Sequence, residues 1–115
     1  MSMNSLSDFV RWDIWIARVM FEEGTASKVR PVLVIDGTSC YVLSLKITSH
    51  GPREEYTGEY PIKEWKEAGL LKPSTIRISK RLSLPPDSFI KRIGRLTPLD
   101  CDNVSRIYLD IYSDE

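Results

Sequence analysis

The stretch "VRPVLVIDGTSCYVLSLKIT", Val29 to Thr48, constrains this chain more than any other. Val32 to Ile35 are four consecutive apolar residues, three of them β-branched, and such a run suits a strand at the core of a sheet. Asp36, Gly37, Thr38 and Ser39 form a turn signal. "CYVLSLKIT" then returns as a second strand, so the segment is expected to form a long antiparallel hairpin. Pro31 has no N–H to give to a ladder, which places it near the start of its strand or at an edge. Arg30 stands directly before it. Antiparallel pairing of Val32–Ile35 with the Tyr41–Leu45 region makes the outward positions converge. Thr48, Ser49 and His50 are thereby carried back toward Arg30.

The rest of the chain supplies partners for that hairpin. Asp13 to Val19, "DIWIARV", is β-branched and aromatic and predicts a first strand; "MFEEGTASK" is a loop. "SHGPREEYTGE" is a turn-rich connection with a short strand expected around Tyr56. "PIKEWKEAGL", Pro61 to Leu70, predicts a short helix started by Pro61 and stopped by Gly69. In "STIRIS", Ile76 and Ile78 alternate with Thr75, Arg77 and Ser79, which directs Arg77 away from the core. Pro85 and Pro86 interrupt regular structure before a further strand near Phe89 to Ile93. The last segment is the clearest helix. Thr97 is its expected cap, Pro98 its first residue and Asp100 the third member of a capping box. Leu96 and Cys101 stand at the staple positions, and Val104, Ile107, Tyr108 and Ile111 make one apolar stripe. The sum is five or six strands, a short inserted helix and a C-terminal helix. This predicts a mainly β fold, a small, strongly curved antiparallel sheet or barrel. Residues 1–115 are expected to form a single domain, with 1–8 a frayed polar start.

Several function classes are disfavoured. There is no run of about 18 apolar residues, so no membrane partner is expected, and the N-terminus lacks a secretory signal pattern. One histidine and two distant cysteines, Cys40 and Cys101, do not make a zinc site, and no metal or cofactor is expected. The cysteines suit a reduced, cytoplasmic protein. Nucleophile-elbow, P-loop and dinucleotide-binding glycine patterns are all missing. The net charge is zero, yet its distribution is uneven. Lys72 to Arg95 holds seven cations against one acid, and the C-terminal helix segment holds five acids against one cation. The basic block is either an anion-binding surface or a solvated loop.

The remaining chemistry-bearing residues suit phosphodiester cleavage in RNA. The ribose brings its own nucleophile, the 2′-OH, so the protein needs a cation for the phosphorane charge and groups that carry protons. Arginine meets the first need, because its planar fork matches two phosphate oxygens. Arg30 is the candidate for that role and Thr48 its partner, with Ser49 and His50 beside them. Lys28 precedes Arg30, and Lys46 alternates with Thr48 on one face. Each has a bland reading as well. Arg30 could pair with Glu22 or Glu23 at the surface, Thr48 could be a structural sheet residue, and His50 a solvated loop side chain.

The elements "DIWIARVMFEEGTASKVRPVLVI", "LSLKITSH" and "FIKRIGRLTPLD", in this order, resemble the MazF/PemK family of bacterial toxin endoribonucleases. Lys72-Pro73-Ser74 and Ile93-Gly94-Arg95-Leu96 are similar to its short PemK-like branch. The resemblance covers essentially the whole chain. It implies an SH3-like barrel of the plasmid-maintenance-toxin type with a C-terminal helix. It implies a homodimer that cleaves single-stranded RNA without metal to a 2′,3′-cyclic phosphate and a 5′-OH. It also implies a cognate antitoxin, with DNA contacted only through an antitoxin complex. Arg30 and Thr48 fall on the family's catalytic arginine and threonine. Two departures stand out. Trp12 replaces the usual glycine before the first-strand aspartate. The family's second arginine has no firm counterpart, Lys80 and Arg81 being the nearest candidates, with Arg77 as a further RNA contact. The rival readings are a non-catalytic RNA- or protein-binding module on the same barrel, and a toxin-like domain aimed at a topoisomerase-type target.

Overall fold

The expected hairpin is present as β2 (Ser27–Gly37) and β3 (Val42–Thr48), which pair Val32 with Lys46, Leu33 with Leu45 and Val34 with Ser44. The computed structural model describes residues 9–20, 26–37, 42–49, 51 and 57–113. Around the hairpin stand β1 (Asp13–Met20), β4 (Glu59–Pro61), β5 (Thr75–Leu84), β6 (Phe89–Arg95) and a C-terminal helix, α1 (Pro98–Tyr112). All six strands form one antiparallel sheet in the order β4-β5-β3-β2-β1-β6. Tyr56, where a short strand was expected, lies outside the described residues, as do residues 1–8; the short strand β4 begins at Glu59.

The apolar run of β2 is continuous because both faces of the sheet are covered. Leu33 and Ile35 join Ile14, Leu45, Ile47, Ile76 and Ile78 in a cluster that Val104 of α1 completes. Ile107, Tyr108 and Ile111 of the predicted helical stripe pack against the same cluster. Val32 and Val34 turn the other way, against Trp15, Ala17, Val19, Leu84, Phe89 and Phe9. Phe9 sits between the rings of Trp15 and Phe89, 5.0 and 4.7 Å away by centroid.

Three expectations need correction. First, the sheet is not closed into a barrel: β4 and β6 are its two edges. The gap is spanned by the segment after β4, where Ala68 O accepts from Arg95 N at 3.1 Å. Second, that segment is a run of turns instead of a helix. Its one α-type bond is Ala68 N to Glu64 O. Gly69 N to Lys66 O and Leu70 N to Trp65 O then end it in the manner of a helix C-terminus, with Gly69 at φ +97°. Gly69 is therefore a stop signal, but it stops a single turn. Third, the capping box of α1 does not form. Thr97 makes no side-chain cap; its hydroxyl donates to Glu64 at 2.5 Å. Asp100 is turned inward and fully buried.

The start of β1 is equally particular. Trp12 has φ +79°, the left-handed region that favours glycine. Its N–H donates to Val34 O and its carbonyl accepts from Leu96 N, each at 2.9 Å, so this backbone is fixed from two sides. Asp13 is buried and receives Arg92 at 3.0 Å and Arg95 at 2.9 Å, which tie β6 to β1.

Candidate active site

β2 and β3 part company at Pro31. The β2–β3 ladder ends at Val32 and Lys46, although β2 extends back to Ser27 and β3 on to Thr48. Beyond that point β2 follows β1, down to the pair Ser27–Met20, and β3 follows β5, down to Thr48–Thr75. Pro31 accounts for the fork. Val34 O accepts from Trp12 on the β1 side, so strand alternation turns the backbone nitrogen of Pro31 toward β3, where it has no hydrogen to give. The expectation that Pro31 stands near its strand's start or on an edge needs correction: it lies inside a central strand, paired with Ile16, and is tolerated because its nitrogen faces the side that β3 has left.

A cleft of about 350 Å³ opens at the fork. Lys28 and Arg30 line it from β2, Thr48 and Ser49 from the end of β3, and Leu71 and Lys72 from the segment before β5. Ile16, Ile47 and Ile93 supply apolar lining. Arg30 lies two residues from Val32 on β2 and Thr48 two residues from Lys46 on β3, so each keeps the face of that last pair, and both line the cleft. Arg77 is paired with Glu59, and Arg92 and Arg95 with Asp13; Arg30 is in none of these pairs. Glu22, Glu23 and His50 lie outside the described residues.

The remaining candidates do not join this cleft. Arg77 is held by Glu59 at 2.8 Å, with little of its side chain exposed. Arg81 stacks on Tyr112 of α1, its guanidinium carbon 3.9 Å from the ring centre. A break in the β3–β5 register sets Arg81 opposite Leu45 and Arg77 opposite Lys46, yet each guanidinium is engaged by its own partner, Tyr112 or Glu59. Lys80 is a half-buried residue of β5, and Lys46 pairs across from both Val32 and Arg77. The basic block of the sequence is thus dispersed over several partners, and only Lys72 of that block reaches the cleft. Lys72 could be suspected from the block and from Lys72-Pro73-Ser74, whereas Leu71 carried no signal: an apolar residue beside another reads as core.

The cleft's far wall is held by a buried carboxylate. Asp100 accepts the Tyr60 hydroxyl at 2.5 Å, Lys63 N at 3.0 Å and Glu64 N at 2.9 Å. It therefore caps the turn after β4 from a helix remote in sequence. Asn103 donates to the same Tyr60 oxygen at 2.9 Å. Burial first, and the hydrogen bond to Asp100 second, push the Tyr60 phenol up to about 12. The turn then seats Gly69 against Gly94 and delivers Leu70, Leu71 and Lys72 to the cleft.

A second hollow of about 370 Å³ lies between α1 and the end of β2, lined by Arg11, Trp12, Asp36 and Tyr108 among others. Volume does not separate the two; charge does. Arg11 there is engaged with Ile35 O at 2.9 Å and Asp36 offsets it, while among the described residues the first cleft gathers Lys28, Arg30 and Lys72 with no lining acid. Among the described residues no three His, Cys, Asp or Glu side chains assemble as a metal site would require, and no helix is long and apolar enough to cross a membrane.

Residues 10–109 match the family of PemK-like, MazF-like toxins of type II toxin–antitoxin systems. The chain belongs to this family. None of the curated proteins matches the sequence. Among solved structures, the Mycobacterium tuberculosis toxin MazF-mt6 aligns at 20% identity and a TM-score of 0.68, over 88% of this chain and 96% of that one. An endoribonuclease from a mycobacterial species aligns at 11% identity and a TM-score of 0.71, over 98% and 96%. An endoribonuclease in complex with its cognate antitoxin, also mycobacterial, aligns at 11% and 0.69, over 90% and 94%. At these identities the likeness is one of fold. It shows that the PemK-like toxin sheet with its C-terminal helix accommodates a very different sequence.

Proposed function

We propose that this PemK-like toxin is an endoribonuclease that cuts single-stranded RNA in the Arg30–Thr48 cleft. The observation that carries the reading is the fork at Pro31, which turns a guanidinium and a hydroxyl onto one face at an open, cation-rich mouth. The 2′-oxygen attacks phosphorus, its proton leaves to a nearby acceptor, and the bond from phosphorus to the 5′-oxygen breaks as that oxygen takes up a proton. The products are a 2′,3′-cyclic phosphate and a 5′-OH. Arg30 holds two non-bridging oxygens and neutralises the charge that grows on them. Arginine stays protonated, so it serves as the electrostatic partner and never as the base. Thr48 contacts the phosphate or relays a proton. Lys28 and Lys72 steer the flanking backbone, a contribution that salt weakens.

In this reading the protein acts in the cytoplasm as a homodimer, and its cognate antitoxin silences it by covering the cleft. DNA is met only through the antitoxin complex. The test is product analysis with purified protein and mixed-sequence RNA in EDTA. Fragments ending in 2′,3′-cyclic phosphate and beginning with 5′-OH are expected. Products with 5′-phosphates, or cleavage that requires added metal, contradict the mechanism. RNA that is bound but left intact favours the non-catalytic module.

A further inference from the structure

The residue of the cleft that the cleavage chemistry leaves unused is Leu71. It is 98% exposed, more than any other large apolar side chain among the described residues. Scattered exposed leucines are ordinary, but the setting of this one is not. It stands at the mouth of the cleft, between the buried Leu70 and the cation Lys72. Its backbone is pinned on both sides. Leu70 N donates to Trp65 O at 3.0 Å, and Lys72 O accepts from the Ser74 hydroxyl at 2.9 Å. Behind it the turn is clamped by Asp100 and by the contact of Gly69 with Gly94. An apolar side chain held out from a rigid base loses little backbone entropy when something settles on it.

We propose that Leu71 grips a nucleobase of the RNA and so takes part in choosing where the strand is cut. This rests on the endoribonuclease reading above and names the site's base contact. A single-stranded nucleotide is amphipathic, with a charged phosphate on one side and a broad apolar base on the other. The cleft offers the same pairing, with Arg30, Lys28 and Lys72 for phosphates and Leu71 at the rim for a base face. An aliphatic contact with a base face is non-directional, so it tolerates several bases and favours the more apolar ones, which yields a graded preference in place of a strict code.

The experiment is an abasic scan. Uncleavable 2′-O-methyl oligonucleotides of mixed sequence, each lacking one base, are titrated against wild type, Leu71→Ala and Leu109→Ala, with binding read by fluorescence anisotropy. Leu109 is an exposed leucine on α1 away from the cleft and serves as the matched control. Because Leu71 is almost wholly exposed, Leu71→Ala is expected to melt with wild type. The proposal predicts one position whose base removal weakens wild type and Leu109→Ala by about fivefold or more, with Leu71→Ala insensitive there. An unchanged dependence on every position in Leu71→Ala overturns the proposal, and leaves the nuclease reading standing if wild type still cuts RNA in EDTA. Wild type that neither binds nor cuts overturns both.

Discussion

Gly94 lies so close to Ala68 that a β-carbon built on it would stand 1.8 Å from the Ala68 carbonyl oxygen and 3.1 Å from the α-carbon of Gly69. These two glycines are where the turn after β4 meets β6, and so where the open sheet is bridged. At Gly94 the need is for space, and at Gly69 for both space and a positive φ.

Gly94→Ala must push the turn off β6 and break the Arg95 N to Ala68 O bond. The expected loss is about 3 kcal/mol of stability, the upper end of overpacking costs, read by urea unfolding. An exposed-site control such as Ser79→Ala should change stability by less than about 0.5 kcal/mol.

The pH dependence of stability carries the mark of Tyr60. Its phenol is raised from 10.0 to about 12 in the folded protein, so the folded state prefers the neutral form. That preference stabilises fully below the unfolded value and is lost as pH rises from 10 to about 12. Denaturation across this window should show a fall in stability that Tyr60→Phe lessens. An equal fall in both proteins would remove Tyr60 as the cause.

Trp12 occupies a backbone conformation that suits glycine. Trp12→Gly and Trp12→Ala both lose the indole's packing against the main core, but only the glycine relieves the left-handed strain. Trp12→Gly should be more stable than Trp12→Ala by about 1 kcal/mol, measured by thermal or urea melts. The reverse order would mean that the strain is not there.

Much of this fold was legible because its signals are local. The hairpin strands follow from β-branched runs around Asp36-Gly37, and α1 from the spacing of Val104, Ile107, Tyr108 and Ile111. What stayed hidden depends on distant partners. The Pro61–Leu70 pattern suggested a helix, but it is a single turn, capped at its start by Asp100 from a helix far along the chain and stopped at once by Gly69. The same residue was expected to serve its own helix in a capping box. Arg77 and Arg81 looked like members of one basic surface, and Glu59 and Tyr112 divide them. Arg30 and Thr48 share an end of the hairpin because antiparallel register is arithmetic; that the ladder stops at Pro31 is a property of the finished sheet. Leu71 had no such marker, since exposure of a leucine is a property of the finished fold.

The central claim is that Arg30 supplies the charge that stabilises the RNA phosphorane in this cleft. The most direct measurement is the single-turnover cleavage rate in EDTA for wild type, Arg30→Lys and Arg30→Ala, each checked for an unchanged melting curve. Arg30→Ala should lose about 10²-fold or more, and Arg30→Lys should regain only part of it, because a point charge cannot fork two oxygens. Cleavage by Arg30→Ala within a few-fold of wild type would contradict the account.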